Sequence, residues 1–176
     1  DPENIQDNQI PVVYPVNKNS LLVGTWNGLY LFNTKTNERI HFTHESTNPY
    51  SLSSDMVTSI LKDHEGHIWI GTREGGINIV TWKELIFKEK PRFVHFKKEP
   101  GNETSLSNNY VNTIFQDSKK NIWIGTEGGG VNLFVYNKSP EKGGFSCFAE
   151  EEGLPSAHVR GILEDDQGNL WISSSQ

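Results

Sequence analysis

The stretch that decides the fold runs from Asn121 to Phe134 and reads Asn-Ile-Trp-Ile-Gly-Thr-Glu-Gly-Gly-Gly-Val-Asn-Leu-Phe. It consists of an apolar segment of strand length, a glycine-rich turn and a second apolar segment. The same phrase recurs at His67–Val80, and shorter forms occur at Ser20–Phe32 and Asn169–Ser174. A unit that recurs within one chain indicates a repeat architecture, which must be recognised before any residue is given a chemical role.

The repeat covers much more than this phrase. Its copies align on one position, which is occupied by Gly24, Gly71, Gly125 and Ser173. The successive spacings are 47, 54 and 48 residues. Between Ser51–Val80 and Ser105–Phe134, 14 of the 30 aligned residues are identical, which is far more than one chain shares with itself by chance.

Each unit contains four segments with the length and alternation of short strands. The first ends at an acidic residue, the second contains a tryptophan, and the third follows the glycine-rich turn. No window of ten residues shows a convincing helical period, so the chain is predicted to be all-β. The first unit is less regular, because two prolines make Ile10–Pro15 either an edge strand or an extended lead-in.

Four-stranded repeats of this length are typical of β-propeller blades, whose radial packing keeps strand edges short and covered. The sequence therefore predicts a propeller segment of about three and a half four-stranded antiparallel blades. A flexible lead-in at 1–9 precedes predicted blades at 10–46, 56–99 and 110–150 and a half-blade at 158–176. The tryptophan of each second strand is expected to fill the space between blades, so Trp69 and Trp123 should be largely buried.

Composition excludes several function classes. The net charge is −6 and the pI about 5.5, with charges of both signs interspersed, so no nucleic-acid partner is predicted. No apolar run approaches the length of a membrane span, so no direct membrane contact is predicted for this segment. The single cysteine excludes an intramolecular disulfide, and the alternating pattern around Cys147 predicts a buried thiol on a strand.

The sequence predicts no catalytic residue, cofactor or metal. The triple glycine at 128–130 leads into a strand instead of a helix, so it indicates a hairpin turn and not a phosphate-binding loop. An acidic residue before a turn recurs as Asp63, Asp117 and Asp165, which indicates capping of turn amides. Neither His41 with His44 nor His64 with His67 is accompanied by the further ligands that zinc requires.

A ligand face can still be predicted from the architecture. In a propeller, the turns between second and third strands share one face with the links between blades. Aromatic rings beside polar groups on such a face suit sugar recognition, although any propeller surface carries variable polar loops. The candidate ligand-binding residues are Trp26, Asn27, Tyr50, Arg73, Glu74, Asn109, Tyr110, Glu127 and His158.

The phrase from Asp63 to Gly76, Asp-x-x-Gly-x-Ile-Trp-Ile-Gly-Thr-x-x-Gly-Gly, resembles the two-component regulator propeller repeat. Ser51–Ser53, Ser105–Ser107 and the lead-in Gly153–Pro155 fit the same pattern. The departures include Lys120, which replaces the glycine of the Asp63–Gly66 turn in the next unit. The resemblance covers residues 10–176.

The resemblance implies a non-enzymatic segment of the periplasmic sensor region of a Bacteroidetes hybrid two-component system, whose parent protein is a membrane-anchored histidine kinase. It also implies an oligosaccharide as the ligand, and the remaining blades and a second propeller as partners in the longer protein. Open interblade faces predict self-association of the isolated segment. A propeller lyase or glycosidase and a protein-interaction scaffold are the alternatives.

Overall fold

The computed structural model of the chain describes residues 9–137 and 139–175, so most of the predicted lead-in at 1–9 lies outside the described residues. Within them the strands form three four-stranded antiparallel sheets and one two-stranded sheet, each paired in chain order. The predicted all-β propeller segment of three and a half blades is confirmed.

The strands of the first sheet are β1 (Val12–Asn17), β2 (Ser20–Thr25), β3 (Gly28–Asn33) and β4 (Arg39–Phe42). Those of the second are β5 (Val57–Lys62), β6 (His67–Thr72), β7 (Ile77–Thr81) and β8 (Val94–Phe96). The third contains β9 (Val111–Gln116), β10 (Ile122–Thr126), β11 (Val131–Asn137) and β12 (Ser139–Phe148). The last contains β13 (His158–Glu164) and β14 (Leu170–Ser175). These sheets are called the first to fourth blades, and β1 is an edge strand.

One short helix, α1 (Trp82–Phe87), lies between β7 and β8, and Glu150–Glu152 forms a 3₁₀ turn. Neither of them was predicted from the sequence. The Oγ1 atom of Thr81 accepts the backbone N–H of Glu84 at 3.1 Å and caps the helix. Leu85 is fully buried, and Glu84 forms an ion pair with Lys88 one turn later. Six residues are too few to display a helical period, so only the Thr81-x-x-Glu84 cap signals this helix.

The hydrophobic core lies between the blades and not within any single sheet. One cluster joins the first two blades, and its largest contributions come from Leu22, Leu29, Phe42, Leu52, Ile68, Ile70, Leu85 and Phe93. The other joins the second and third blades through Trp69, Ile77, Ile79, Leu106, Ile122, Ile124, Phe134 and Phe145. Each blade is therefore stabilised by burying its apolar surface on its neighbours.

The equivalent tryptophans differ in exposure. Trp69 is fully buried and packs edge-on against Phe134 of the third blade, with ring centroids 4.8 Å apart, as predicted. Trp123 is only partly buried, and Trp171 is 64% exposed. The prediction of a largely buried Trp123 is thus met only in part, because the fourth blade that follows it has two strands among the described residues.

The repeated aspartates cap turns as predicted, and they also hold the tryptophans. Oδ1 of Asp63 accepts the backbone N–H groups of Glu65 and His67, and Oδ2 accepts the indole N–H of Trp69 at 2.8 Å. The corresponding indole bonds join Trp123 to Asp117 at 2.8 Å and Trp171 to Asp165 at 2.9 Å. Burial would raise the pKa of Asp63, but hydrogen bonds from His67 and Trp69 outweigh it and hold the pKa below its ordinary value.

The glycine after each Trp-Ile pair permits close approach of the next blade. A Cβ atom at Gly71 would lie 2.6 Å from Cγ1 of Val111, the first residue of β9. A Cβ atom at Gly125 would lie 2.5 Å from Cγ1 of Val159, in β13. Gly71 and Gly125 therefore lie where the neighbouring blade, together with Ser59 or Thr113 of the same blade, and not a ligand, occupies the space.

Two further findings concern surfaces. Cys147 lies on β12, as predicted, but its side chain is exposed instead of buried, because β12 is the outermost strand of its sheet. Its thiol donates to the carbonyl oxygen of Gly129 at 3.2 Å. Among the described residues, no helix has the length and apolar character to cross a bilayer.

Candidate functional site

The turns between second and third strands present equivalent residues at one end of the blades. In each of these turns, one residue donates its backbone N–H to a carbonyl oxygen in the link that precedes the first strand of the same blade. This first strand is called the inner strand. The three bonds join Trp26 to Gln9 at 3.3 Å, Arg73 to Met56 at 2.9 Å and Glu127 to Tyr110 at 2.9 Å. The repeat therefore places Trp26, Arg73 and Glu127 on a common face, called here the turn face.

Arg73 lies between two aromatic rings on this face. Its guanidinium carbon is 5.4 Å from the ring centroid of Trp26 and 5.3 Å from that of Tyr110, both within cation–π distance. Trp26 belongs to the first blade, Arg73 to the second, and Tyr110 to the link that enters the third. These three side chains, called the aromatic–arginine row, thus bring together residues from three units of the repeat.

The guanidinium of Arg73 forms no ion pair with a carboxylate in the part of the chain that the structure describes. The adjacent Glu74 is exposed. Trp26 is 40% exposed, and the side chains of Arg73 and Tyr110 are half-buried. The row therefore offers a positive charge and accessible ring surface to solvent.

The equivalent turn of the third blade is fully paired. Glu127 accepts from Asn112 at 2.8 Å and from Arg160 at 2.7 and 3.2 Å, and its Oε1 lies 3.0 Å from Nδ1 of His158. The hydrogen bond from Asn112 is the main cause that holds the pKa of Glu127 below its ordinary value, and His158 and Arg160 add to it. These four residues are called the glutamate cluster. Within it, the negative charge of Glu127 is paired with the positive charge of Arg160.

The structure separates the remaining predicted residues. Asn27 is exposed beside Trp26, and its carbonyl oxygen accepts from Nε2 of His41 at 2.7 Å. The side chain of Asn109 accepts the backbone N–H of Lys98 at 2.7 Å, so it ties the link to the preceding blade. Asn109 is therefore a structural residue in this arrangement.

Tyr50 does not lie on the turn face, contrary to the prediction that its link belongs there. Its ring is covered by Arg92, whose guanidinium carbon is 3.9 Å from the centroid, and its carbonyl oxygen accepts the N–H of Phe93. These partners precede β8, at the end of the second blade opposite the turn that carries Arg73. The link runs along the side of the blade before it reaches the face.

A cavity of about 670 Å³ lies at this outer edge, apart from the aromatic–arginine row. Its walls include Tyr50, Arg92, Phe93, His95 and residues of α1. Burial lowers the pKa of His95, whose Nε2 donates to the carbonyl oxygen of Ser51 at 2.7 Å. Among the described residues, no group of three or more His, Cys, Asp or Glu side chains is placed to hold a metal ion.

Sequence reasoning missed the polar residues of the inner strands. Thr58, Asn112 and Arg160 occupy equivalent positions in β5, β9 and β13. Thr58 donates to the carbonyl oxygen of Val111 at 2.6 Å, and Asn112 donates to that of Val159 at 2.8 Å. Their recurrence at one repeat position was the available signal, since a polar residue there faces the neighbouring inner strand.

Comparisons with known proteins agree with this architecture. Residues 51–74, 105–128 and 153–176 match the family described as two component regulator propeller. The chain is 29% identical over 205 residues to histidine kinase P4 of Formosa agariphila. The match covers 89% of this chain but only 14% of that kinase.

Two solved structures share the fold. The extracellular domain of a protein from B. thetaiotaomicron, described as a hybrid two component system, has 32% identity and a TM-score of 0.71, with 93% of this chain and 20% of that chain covered. PorZ, a surface component of the type-IX secretion system of Porphyromonas gingivalis, has 21% identity and a TM-score of 0.72, with 98% and 25% covered. The likeness to PorZ shows the fold alone. The repeats, the sheet order and these matches lead to one conclusion: the chain contains two component regulator propeller repeats.

Proposed function

We propose that this chain is a ligand-sensing propeller segment in the periplasmic sensor region of a hybrid two-component histidine kinase, and that its turn face contacts an oligosaccharide. The names of the curated relative and of the B. thetaiotaomicron structure support the sensor assignment. The observation that carries the choice of face is the aromatic–arginine row, in which rings and a charge from three units meet. Aromatic rings pack on the C–H faces of sugars, and polar groups bind their hydroxyls.

Signalling would follow from differential binding. A ligand that contacts Trp26, Arg73 and Tyr110 spans two blade boundaries, so it favours whichever arrangement of the blades brings these side chains together. A ligand shifts an equilibrium only by its difference in affinity for the two states. The propeller segment would thereby bias the longer sensor between its inactive and active arrangements.

The chain itself is proposed to be non-catalytic. A propeller glycosidase would need a carboxylic acid with a raised pKa beside a second carboxylate. Glu127, the acid of the turn face with the most partners, has a lowered pKa and is bound by Asn112, His158 and Arg160. These bonds stabilise its ionised form, which is unsuited to donating a proton.

A further blade of the same repeat is the proposed partner of the fourth blade. Trp171 and Leu163 are 64% and 63% exposed, whereas Trp69 at the equivalent position is covered by the third blade. Continuity of the repeat makes another blade the matching cover. In the isolated chain this face should self-associate, and sedimentation of a Trp171→Ser variant should show less association than the parent chain; equal sedimentation would contradict the assignment.

The test of the proposed function uses the full-length sensor in membranes, with autophosphorylation as the readout and oligosaccharides from digested polysaccharides as ligands. Trp26→Ala and Tyr110→Ala should raise the concentration for a half-maximal response about tenfold or more, which corresponds to about 1.4 kcal/mol of binding free energy. Phe87→Ala removes an exposed ring from α1 and serves as the matched control, with no expected change. An unchanged response in both row variants would remove the turn face from ligand binding.

A further inference from the structure

We propose that the aromatic–arginine row recognises an acidic sugar, with a carboxylate or sulfate ester group of the ligand bound to the guanidinium of Arg73. This inference rests on the proposed function and deepens it, because it names the chemical class of oligosaccharide. The shared chemistry of the two groups is a planar or tetrahedral oxyanion attached to a sugar ring.

The positive charge of Arg73 is the feature that favours an acidic ligand. Arginine is ionised at all relevant pH values, and it is almost never fully buried unless it is paired. Within the described residues, Arg160 forms such a pair with Glu127, but Arg73 forms none. Arg73 is half-buried and adjoins an exposed acid, Glu74, without pairing to it. Its charge is therefore left for an external anion.

The guanidinium of Arg73 is positioned by the two aromatic rings on either side of it. The rings of Trp26 and Tyr110 lie at 5.4 and 5.3 Å from the guanidinium carbon, so within the described residues the guanidinium of Arg73 contacts aromatic rings. The N–H donors of a guanidinium form a planar fork that matches two oxygens of a carboxylate or sulfate. Because the rings already restrict the long side chain, less conformational entropy is lost when the anion binds.

The other side chains of the turn face affect how an anionic sugar binds beside Arg73. An acid on this face would repel an anionic ligand. Glu74 is exposed beside Arg73, whereas Glu127, at the position equivalent to Arg73 in the third blade, is bound by Arg160 and lies 3.0 Å from Nδ1 of His158. The glutamate cluster therefore presents little net negative charge. Trp26 is 40% exposed, so part of its ring remains for the C–H face of the sugar that carries the anion. A neutral sugar would use the rings and leave the charge of Arg73 unused.

The test measures binding to the full-length sensor by isothermal titration calorimetry. The probes are uronate oligosaccharides, sulfated galactan oligosaccharides, and the neutral counterpart of each, obtained by methyl esterification or desulfation. Inorganic sulfate is included as the anion alone. Arg73→Gln should weaken binding of the acidic probes about tenfold or more and change binding of the neutral probes less than about twofold.

Two further variants separate a charge effect from a structural one. Arg92→Gln removes an arginine that covers a tyrosine ring in the same way, at 3.9 Å from the Tyr50 centroid, but outside the row. It should leave every affinity unchanged. Glu74→Gln removes the acid next to Arg73 and should strengthen binding of the acidic probes about twofold, because like-charge repulsion at an exposed site is weak.

The outcomes distinguish this inference from the proposed function. Neutral probes that bind as tightly as their acidic counterparts, with affinity lost in Trp26→Ala, would overturn the acidic-sugar inference and leave oligosaccharide sensing in place. Inorganic sulfate that binds as tightly as the sulfated sugars would overturn recognition of the sugar. Binding of acidic probes that is equal in wild type and Arg73→Gln would overturn the role of Arg73. If none of these sugars binds, both this inference and the oligosaccharide function are contradicted.

Discussion

The second and third blades are two copies of one unit. The residues that they share build the blade, and a residue in which they differ lies on the turn face. Of 30 aligned residues, the 14 identical ones include the aspartate, tryptophan, glycine and threonine that build the turns and the blade contacts. At the exposed tip of the turn the copies differ. Arg73 lies between two aromatic rings. The carboxylate of Glu127 instead makes polar contacts with Asn112, His158 and Arg160.

The comparison shows how a repeat can combine a fixed scaffold with a variable face. The tryptophan and the glycine that follows the Trp-Ile pair recur in the second and third blades, because changing them there would disturb the packing between blades. The turn tip is held by a backbone hydrogen bond, from Arg73 to Met56 or from Glu127 to Tyr110, which does not depend on the side chain. The side chain at this position is therefore free to differ between blades.

The largest expected effect concerns the tryptophans. Trp69→Ala should lower the free energy of unfolding by about 3–5 kcal/mol, because it leaves a cavity beside Phe134. Trp123→Ala should cost less, since its ring is only partly buried. Trp171→Ala should cost least at concentrations where the chain does not self-associate, since this ring is 64% exposed. Urea unfolding of the three variants checks the order, and equal losses would contradict the packing described here.

The two glycines after the Trp-Ile pair should behave alike in both blades. Gly71→Ala and Gly125→Ala should each cost about 1–3 kcal/mol, because the added Cβ would overlap Val111 or Val159 of the next blade. Gly161→Ala is the matched control, since a Cβ there meets only the hydroxyl of Ser173, at 3.1 Å. Thermal unfolding measures the differences. A tolerated Gly71→Ala with a damaging control would contradict the close approach of the blades.

A smaller effect is expected at the turn between first and second strands. Lys120 adopts a φ of 72° where the second blade has Gly66 at 90°. A left-handed conformation costs a non-glycine residue about 1–2 kcal/mol, so Lys120→Gly should stabilise the chain by roughly 1 kcal/mol after the added entropy of the unfolded glycine is counted. Gly66→Ala should destabilise it. Denaturant midpoints of the two variants test this opposite pair of signs.

Acid should weaken the aspartate–tryptophan bonds. The pKa of Asp63 is lowered in the folded state, and the indole of Trp171 with Asn169 lowers the pKa of Asp165 to about 2. A carboxyl with a lowered folded pKa stabilises the fold fully above its unfolded pKa of about 3.9, and this stabilisation is lost as the pH falls towards the folded pKa. Asp63→Asn should therefore flatten the stability profile below about pH 4, as followed by tryptophan fluorescence. A profile identical to that of the parent chain would contradict it.

Much of the fold could be predicted from the sequence because the repeat supplies its own alignment. The predicted strand–turn–strand phrase at Asn121–Phe134 forms β10, a turn and the start of β11, and its copy at His67–Val80 forms β6, a turn and β7. The helix α1 was not predicted because its six residues are too few to show a helical period. Its only signal in the sequence is the N-terminal cap at Thr81. Contacts between blades were harder to predict.

The proposed ligand face could be predicted only in outline. The turn residues followed from the repeat, so Trp26 and Arg73 were found on one face. The position of Tyr50 depends on how a long link crosses the side of a blade, which spacing does not determine. The partners of Glu127 belong to β9 and β13, and pairing across blades leaves no pattern within either strand.

A structure of the full-length sensor with a bound acidic oligosaccharide tests the central claim most directly. The account predicts an oxyanion of the ligand at about 2.7–2.9 Å from the guanidinium of Arg73, with a sugar ring against Trp26 or Tyr110. The glutamate cluster should keep its internal bonds. A ligand bound instead in the 670 Å³ cavity beside Tyr50 and Arg92, with Arg73 still lying only between its two rings, would contradict the account.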